Sequence, residues 1–182
     1  MEERMSLDAV FSALRFAAER HQAQRRKGGR EIPYINHPID VATLLVTVAG
    51  VTDPDLLAAA LLHDTVEDTD TTLDELSLLF GEHVASIVAE VTDNCDLPSD
   101  ERKRIQEVEA PFKSHPARLI RIADKTSNVS DIAIHPPPAW SVERRRSYFE
   151  WAARVVGAMR GTNAPLEAAF DAALAKARAS IA

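Results

Sequence analysis

Between Asp53-Pro54-Asp55 and His63-Asp64 the chain reads Leu56-Leu57-Ala58-Ala59-Ala60-Leu61-Leu62, with no polar side chain. An Asp-Pro start followed by Ala and Leu predicts a helix over about Asp55 to Asp64, capped by Asp53. A helix apolar around its whole circumference has no face to give to water, so it belongs at the centre of a packed domain. The run is far too short to cross a bilayer, which takes about 20 residues.

The segments on either side keep a helical period. Leu7, Val10, Phe11, Leu14, Ala17 or Ala18 and His21 follow the i, i+3, i+4, i+7 pattern after a Ser6 cap, and Gly28-Gly29 is expected to end that helix. A loop then runs to His37, and Pro38 opens a second helix that Gly50 stops. Thr72 and Glu75 form a capping box for a helix that Gly81 closes. Val84, Ile87, Val88 and Val91 share one face of the next. Ser99 is expected to cap a charged helix, and Pro116 to about Ile132 forms a strongly periodic one. The segment His135-Pro136-Pro137-Pro138 is the clearest linker, because no helix continues through it. Helices over Ser141–Arg160, ended by Gly161, and Pro165–Arg178 complete the pattern. No stretch alternates with period 2 long enough for a sheet. The expected fold is an all-α bundle of about eight to nine helices.

With 182 residues, 46% hydrophobic and 27% charged, the chain has the length and balance of one globular domain over residues 1–182. A single cysteine, Cys95, excludes a disulfide framework and a multi-cysteine zinc ribbon. The opening Met-Glu-Glu-Arg-Met lacks the layout of a signal peptide, so a cytoplasmic location without membrane contact is expected. A net charge of -7, from 28 acidic and 21 basic residues, argues against a general nucleic-acid binder. Two basic groups break the acidic background: Arg25-Arg26-Lys27 with Arg30, and Arg144-Arg145-Arg146. Local positive charge of this kind suits a small polyanion such as a nucleotide, while a charge run by itself is more often a solvated face.

The chemistry concentrates at the end of the apolar helix, in His63-Asp64-Thr65-Val66-Glu67-Asp68. Ionisable groups at the end of a core helix are costly unless paired or bound to a cation. Adjacent His and Asp can both reach one divalent ion, and mixed imidazole and carboxylate donors suit manganese, iron or zinc better than calcium. His37 before Pro38, and Asp124 on the apolar face that also carries Ile120 and Asn128, are further ligand candidates. Taken alone, a His before Pro is more often a helix-end partner, and an Asp on a helix more often pairs with arginine. The case rests on the ordered set His37, His63-Asp64, Asp124.

That set resembles the HD superfamily of metal-dependent phosphohydrolases, whose pattern H…HD…D sits on a helical bundle. Four longer segments resemble the hydrolase domain of RelA/SpoT enzymes: Arg25-Arg26-Lys27-Gly28, Pro33-Tyr34-Ile35-Asn36-His37-Pro38, Ala60 to Thr69, and Ala123-Asp124-Lys125 with Asn128. Phe149-Glu150-Trp151-Ala152 and Gly161-Thr162-Asn163 add likeness to the small stand-alone class that includes metazoan SpoT homologues. The similarity spans about Leu7 to Leu166.

The resemblance implies removal of the 3′-pyrophosphate from ppGpp and pppGpp, giving GDP or GTP and pyrophosphate. It implies one manganese ion per chain on His37, His63, Asp64 and Asp124, and action of Glu67 and Asp68 on the attacking water. It further implies that Arg26 packs on the base, Lys27 and Tyr34 line the pocket, Asn128 contacts the nucleotide, and Arg144 and Tyr148 face the phosphates. Ser99 departs from the lysine of metazoan relatives, and Thr126 from a frequent leucine. No synthetase domain fits in this length, and the intact Glu67-Asp68 pair argues against a domain kept only for regulation. Two other readings stay open at this level: an HD phosphatase for ppApp or the 2′-phosphate of NADPH, and a nucleotide-binding regulator without turnover.

Overall fold

A computed structural model describes residues 2–28 and 31–182. Gly29 and Arg30, part of the expected punctuation and basic group, lie outside the described residues. Ten α-helices are formed among those described: α1 (Glu2–Arg20), α2 (Asn36–Thr47), α3 (Pro54–Leu62), α4 (Thr65–Asp68), α5 (Leu73–Phe80), α6 (Glu82–Val91), α7 (Ser99–Glu109), α8 (His115–Ile134), α9 (Val142–Gly157) and α10 (Ala164–Ala179). Nine answer to the periodic segments of the sequence, and the tenth is the single turn α4. A short 3₁₀ turn, Ala110–Phe112, joins α7 to the loop before α8. The described residues contain no strand, only one isolated bridge between Arg25 and Pro33.

Side chains placed at helix starts account for most boundaries. Asp53 accepts from the Asp55 backbone N–H at 3.0 Å and Pro54 takes the first turn of α3. Thr72 Oγ1 accepts from Glu75 N–H at 3.2 Å, but the Glu75 carboxylate turns to Arg20 of α1, so the box is half local and half tertiary. Ser114, Ser141 and Asn163 cap α8, α9 and α10 in the same way. Gly81 has φ +90°, a left-handed conformation that lets α5 stop and α6 start at one residue.

Five boundary expectations change. Helix α2 begins at Asn36, so Pro38 is its third residue and not its first. Ser6 lies inside α1 and not at its cap. The first helix stops at Arg20, eight positions before Gly28, because the loop folds back on itself: Arg26 N–H bonds to Ile32 O and Tyr34 N–H to Gln24 O, both at 3.0 Å. Ser99 is the first residue of α7, behind a Pro98 cap position that makes no side-chain bond. The α9 helix ends at Gly157, and a turn continues from there to Gly161.

Helix α3 is central, as its composition requires. Leu56 and Ala58 to Leu62 are all buried, and α1, α2 and α6 pack around them. Helix α8 is the second axis, packed by α2, α6, α9 and α10 through Leu119, Ile120, Ile122, Ala123, Val129 and Ile132. Among the described residues, no helix is long and apolar enough to cross a membrane.

Asn163 both caps α10 and donates from Nδ2 to Ala49 O at 3.2 Å, tying α10 to the end of α2. Asn163→Ala should lower the unfolding free energy by about 1–2 kcal/mol, read from the urea midpoint at unchanged m-value.

Candidate active site and metal centre

The ends of α2, α3 and the middle of α8 meet at one point. His37 comes from the first turn of α2, His63 follows the last residue of α3, and Asp124 sits halfway along α8. All three are buried, and one donor atom from each lies within 4.8 Å of the others. The Nε2 of His37 is 3.1 Å from Asp124 Oδ1. Asp64 joins from the side: its Oδ2 stands 3.1 Å from His63 Nε2 and 3.5 Å from His37 Nε2.

The donor set fits a divalent cation. His63 Nδ1 bonds to Ala60 O at 2.8 Å, and a carbonyl can only accept, so Nδ1 carries the proton. In the neutral ring the lone pair is then on Nε2, which is buried and finds no hydrogen-bond partner although Asp64 Oδ2 is near. His37 Nδ1 is likewise engaged, with Ser127 Oγ at 3.1 Å, and its Nε2 faces the cluster. Rings oriented through their outer nitrogen are the arrangement that metal-binding histidines use.

Electrostatics agrees. Burial alone would raise the Asp64 carboxyl, yet the His63 and His37 rings hold it well below the usual range. Asp124, also buried, is held well below it by Lys125 and His37. Burial would lower His63, but Asp64 and Asp124 raise it to about 9. The two carboxylates therefore favour positive charge at this point, which a divalent ion supplies when it displaces the proton.

A cavity of ≈ 270 Å³ opens beside the cluster. Arg26, Lys27, Tyr34, Asp64, Glu67, Asp68, Asp124, Asn128 and Tyr148 all line it, so most of the sequence candidates share one space. Arg144 lies in an adjoining recess with Lys27, Ser99, Lys103, Trp140 and Tyr148, its guanidinium 4.5 Å above the Trp140 ring. Tyr34 donates its hydroxyl to Asp64 Oδ2 at 2.7 Å, and burial with the nearby Asp64 and Asp68 charges keeps that phenol protonated. Asp68 accepts from Gln24 Nε2 at 2.8 Å. Glu67 accepts from Asp93 N–H and Arg102 Nη1, each at 3.2 Å, and burial together with Asp93 pushes its carboxyl up to about 7.

Several supporting groups were not singled out in the sequence. Lys125 is buried, bonds Asp124 Oδ2 at 3.0 Å and rests 4.6 Å from the Trp151 ring. Asp93 is bound by Arg121 at 2.9 Å and by Gln106. Asp131 grips Arg26. Lys125 stood within a segment that carries the resemblance, though without a role, and Asp131 left a signal of its own: with Asp124 and Asn128 it continues one helical stripe, at i, i+4 and i+7.

A helical bundle that buries His, His and Asp from three helices around one point defines the class, and residues 13–147 match the HD domain. The chain is 53% identical over 161 residues to human guanosine-3′,5′-bis(diphosphate) 3′-pyrophosphohydrolase MESH1, covering 88% of this chain and 90% of that one. Against the Xenopus tropicalis MESH1 enzyme the identity is 50%, over 92% and 94% of the two chains. The solved structure of a metazoan SpoT orthologue that hydrolyses ppGpp superposes with a TM-score of 0.89 at 46% identity, covering 91% of this chain and 93% of the other. The chain belongs to the HD-domain family, in its MESH1 group.

The metal centre can be tested without substrate. Asp124→Asn should remove most divalent-ion uptake by the chelator-stripped protein, measured by calorimetry. Ser127→Ala, which frees only the outer nitrogen of His37, should weaken binding by roughly 10–100-fold. Unchanged affinity in both folded variants would remove this cluster as a metal site.

Proposed function

We propose that residues 1–182 act as one domain that hydrolyses the 3′-pyrophosphate of ppGpp and pppGpp, releasing GDP or GTP and pyrophosphate. The observation that carries this reading is the single cavity that sets Glu67, Asp68 and the Arg26-Lys27 loop beside the buried His37–His63–Asp124 group. The activity of the MESH1 relatives supports it. Manganese is the proposed ion, one per chain, because two imidazoles with carboxylates make a mixed nitrogen and oxygen donor set. Asp64 is proposed as its fourth protein ligand. A cytoplasmic setting is proposed with it, in keeping with the unpaired thiol of Cys95.

The ion supplies Lewis-acid activation of water and neutralises phosphate charge. The chain does the rest. Glu67 and Asp68 take the proton as water adds to the 3′-phosphorus, and a proton returns to the departing 3′-oxygen, so the ester bond breaks with net addition of one water. Glu67, with its carboxyl near 7, can exchange protons at neutral pH. Tyr34 holds Asp64 in place from one side and Lys125 holds Asp124 from the other. Arg26 faces the purine, Asn128 the nucleotide, and Lys27, Arg144 and Tyr148 the phosphates. Nothing in the basic loop distinguishes guanine from adenine by charge, so ppApp and NADPH belong in the same substrate panel.

In that panel, chelated protein should be inactive, and manganese should restore pyrophosphate release from ppGpp better than magnesium. Release of orthophosphate from NADPH alone would favour the phosphatase reading, and binding without products the regulator. A Glu67→Gln/Asp68→Asn double variant should keep its metal and substrate affinity while single-turnover rate falls roughly 10²–10⁴-fold. A folded, metal-loaded double variant with the normal rate would remove the pair from the mechanism.

The rate should also depend on pH in a definite direction. A base must be deprotonated to act, so at saturating metal kcat should fall as pH drops through about 7, the value to which burial and Asp93 raise Glu67. Glu67→Gln should flatten that limb.

A further inference from the structure

Arg26 lines the cavity but spends its hydrogen-bonding edge on the protein. Its Nε and Nη2 reach Asp131 Oδ2 at 3.0 and 2.9 Å, and Nη2 also donates to Asn128 Oδ1 at 2.8 Å. Two of the five guanidinium donors are thereby used in hydrogen bonds, from Nε to Asp131 and from Nη2 to Asn128, and the Nη2 contact with Asp131 completes the ion pair. The side chain is only 11% exposed, and its guanidinium carbon sits 5.6 Å from the Tyr34 ring centroid. Asp131 is itself fixed from behind, since Oδ1 meets His135 Nδ1 at 3.1 Å. The loop is pinned to the same place: a Cβ on Gly28 would lie 2.9 Å from His135 O, so only glycine lets the backbone approach there.

We infer that Asp131 is a positioning residue for substrate recognition, which takes the Nε–Nη2 edge of Arg26 so that the guanidinium meets the nucleotide with its flat face. The inference rests on the function proposed above and deepens it. An arginine with a free fork binds phosphate edge-on and bidentately. An arginine whose fork and charge are already met by a carboxylate keeps its planar surface for stacking, and makes a weak phosphate ligand. Asp131 therefore assigns Arg26 to the base and leaves the phosphates to other cations. This accounts for a carboxylate in a cavity meant for a polyanion, where an unpaired negative charge would repel the substrate.

The test is a double-mutant cycle on the metal-loaded protein with ppGpp. Asp131→Asn should raise KM about tenfold with kcat within about twofold, the size expected on loosening a charge-assisted bond. Arg26→Ala should behave alike, and Arg26→Ala/Asp131→Asn should be no worse than Arg26→Ala alone. The KM of Asp131→Asn should also rise more steeply with salt than that of wild type, because the freed guanidinium now competes for phosphate. Multiplying effects in the double variant, or a wild-type KM in Asp131→Asn, would overturn the inference. A substrate-free arm keeps it separate from the proposed reaction: the Arg26 Nε–H resonance, protected from exchange in the wild type, should broaden or vanish in Asp131→Asn and persist in Asp131→Glu. If ppGpp is not hydrolysed, the functional reading fails, whereas an Arg26 Nε–H signal unmoved by Asp131→Asn rejects the positioning role whatever the substrate.

Discussion

Asp124 is a carboxylate only 6% exposed in the middle of a core helix, and much of the structure follows from keeping it ionised there. Removing such a charge from water costs several kcal/mol unless hydrogen bonds and opposite charge replace the lost hydration. Three groups do so: Lys125 Nζ at 3.0 Å, Asn128 Nδ2 at 2.5 Å and His37 Nε2 at 3.1 Å. Each makes its own demand. Lys125, also buried, lies over the Trp151 ring, and Trp151 in turn donates its indole N–H to Lys103 O at 3.1 Å, which ties α9 and α7 to the site. His37 needs Ser127 from α8 and brings the start of α2 with it. The apolar α3 completes the set by ending at His63. A core helix and a metal centre are here the same element.

The ion pairs around the cavity sort its cations into two kinds. Arg26, Arg102, Arg121 and Lys125 are paired with Asp131, Glu67, Asp93 and Asp124. Among the described residues, Arg25, Lys27, Lys103 and Arg144 line the cavity or its recess without an ion pair, and the last three lie toward the recess. A chain of net charge -7 thus presents locally positive surface at this site, because three of its four unpaired cations there are collected at one end. The metal centre holds the other end. Ser99 is in that recess one helical turn from Lys103, so that face of α7 presents a hydroxyl beside a cation.

Much of this was legible because the signals were local. Asp53-Pro54, the Leu/Ala run and Gly81 act within a turn of their own position, and their helices begin and end where they indicate. The expectations that moved depend on partners far away in sequence. Glu75 leaves its capping box for Arg20, a residue 55 positions earlier, and the first helix stops at Arg20 because the loop behind it bonds to itself. The ordered set His37, His63-Asp64, Asp124 could be read since each residue type is costly to bury without purpose. Lys125 could not, because a lysine beside an aspartate on a helix gives no sign that both point inward. Asp93 and Arg121 meet only when α6, α7 and α8 have packed.

The two ends of the site are joined through one amide. Asn128 accepts from Arg26 at Oδ1 and donates from Nδ2 to Asp124. Only a side chain with a donor and an acceptor on one planar group can make both bonds at this position. An aspartate would set a second carboxylate against Asp124 with no hydrogen between them, and a leucine would leave Arg26 and Asp124 each short of a partner in a buried place. A shift of the Arg26 loop must therefore be felt by Asp124, and a change of charge at Asp124 by the loop. The Arg26 guanidinium and the Asp124 carboxylate are held in register by α8 itself, from Asp124 through Asn128 to Asp131. That stripe is less than two turns long, which makes the register stiff: the distance from the Arg26 loop to the His37–His63–Asp124 group is set by the rise of a single helix and not by the closing of two separate parts.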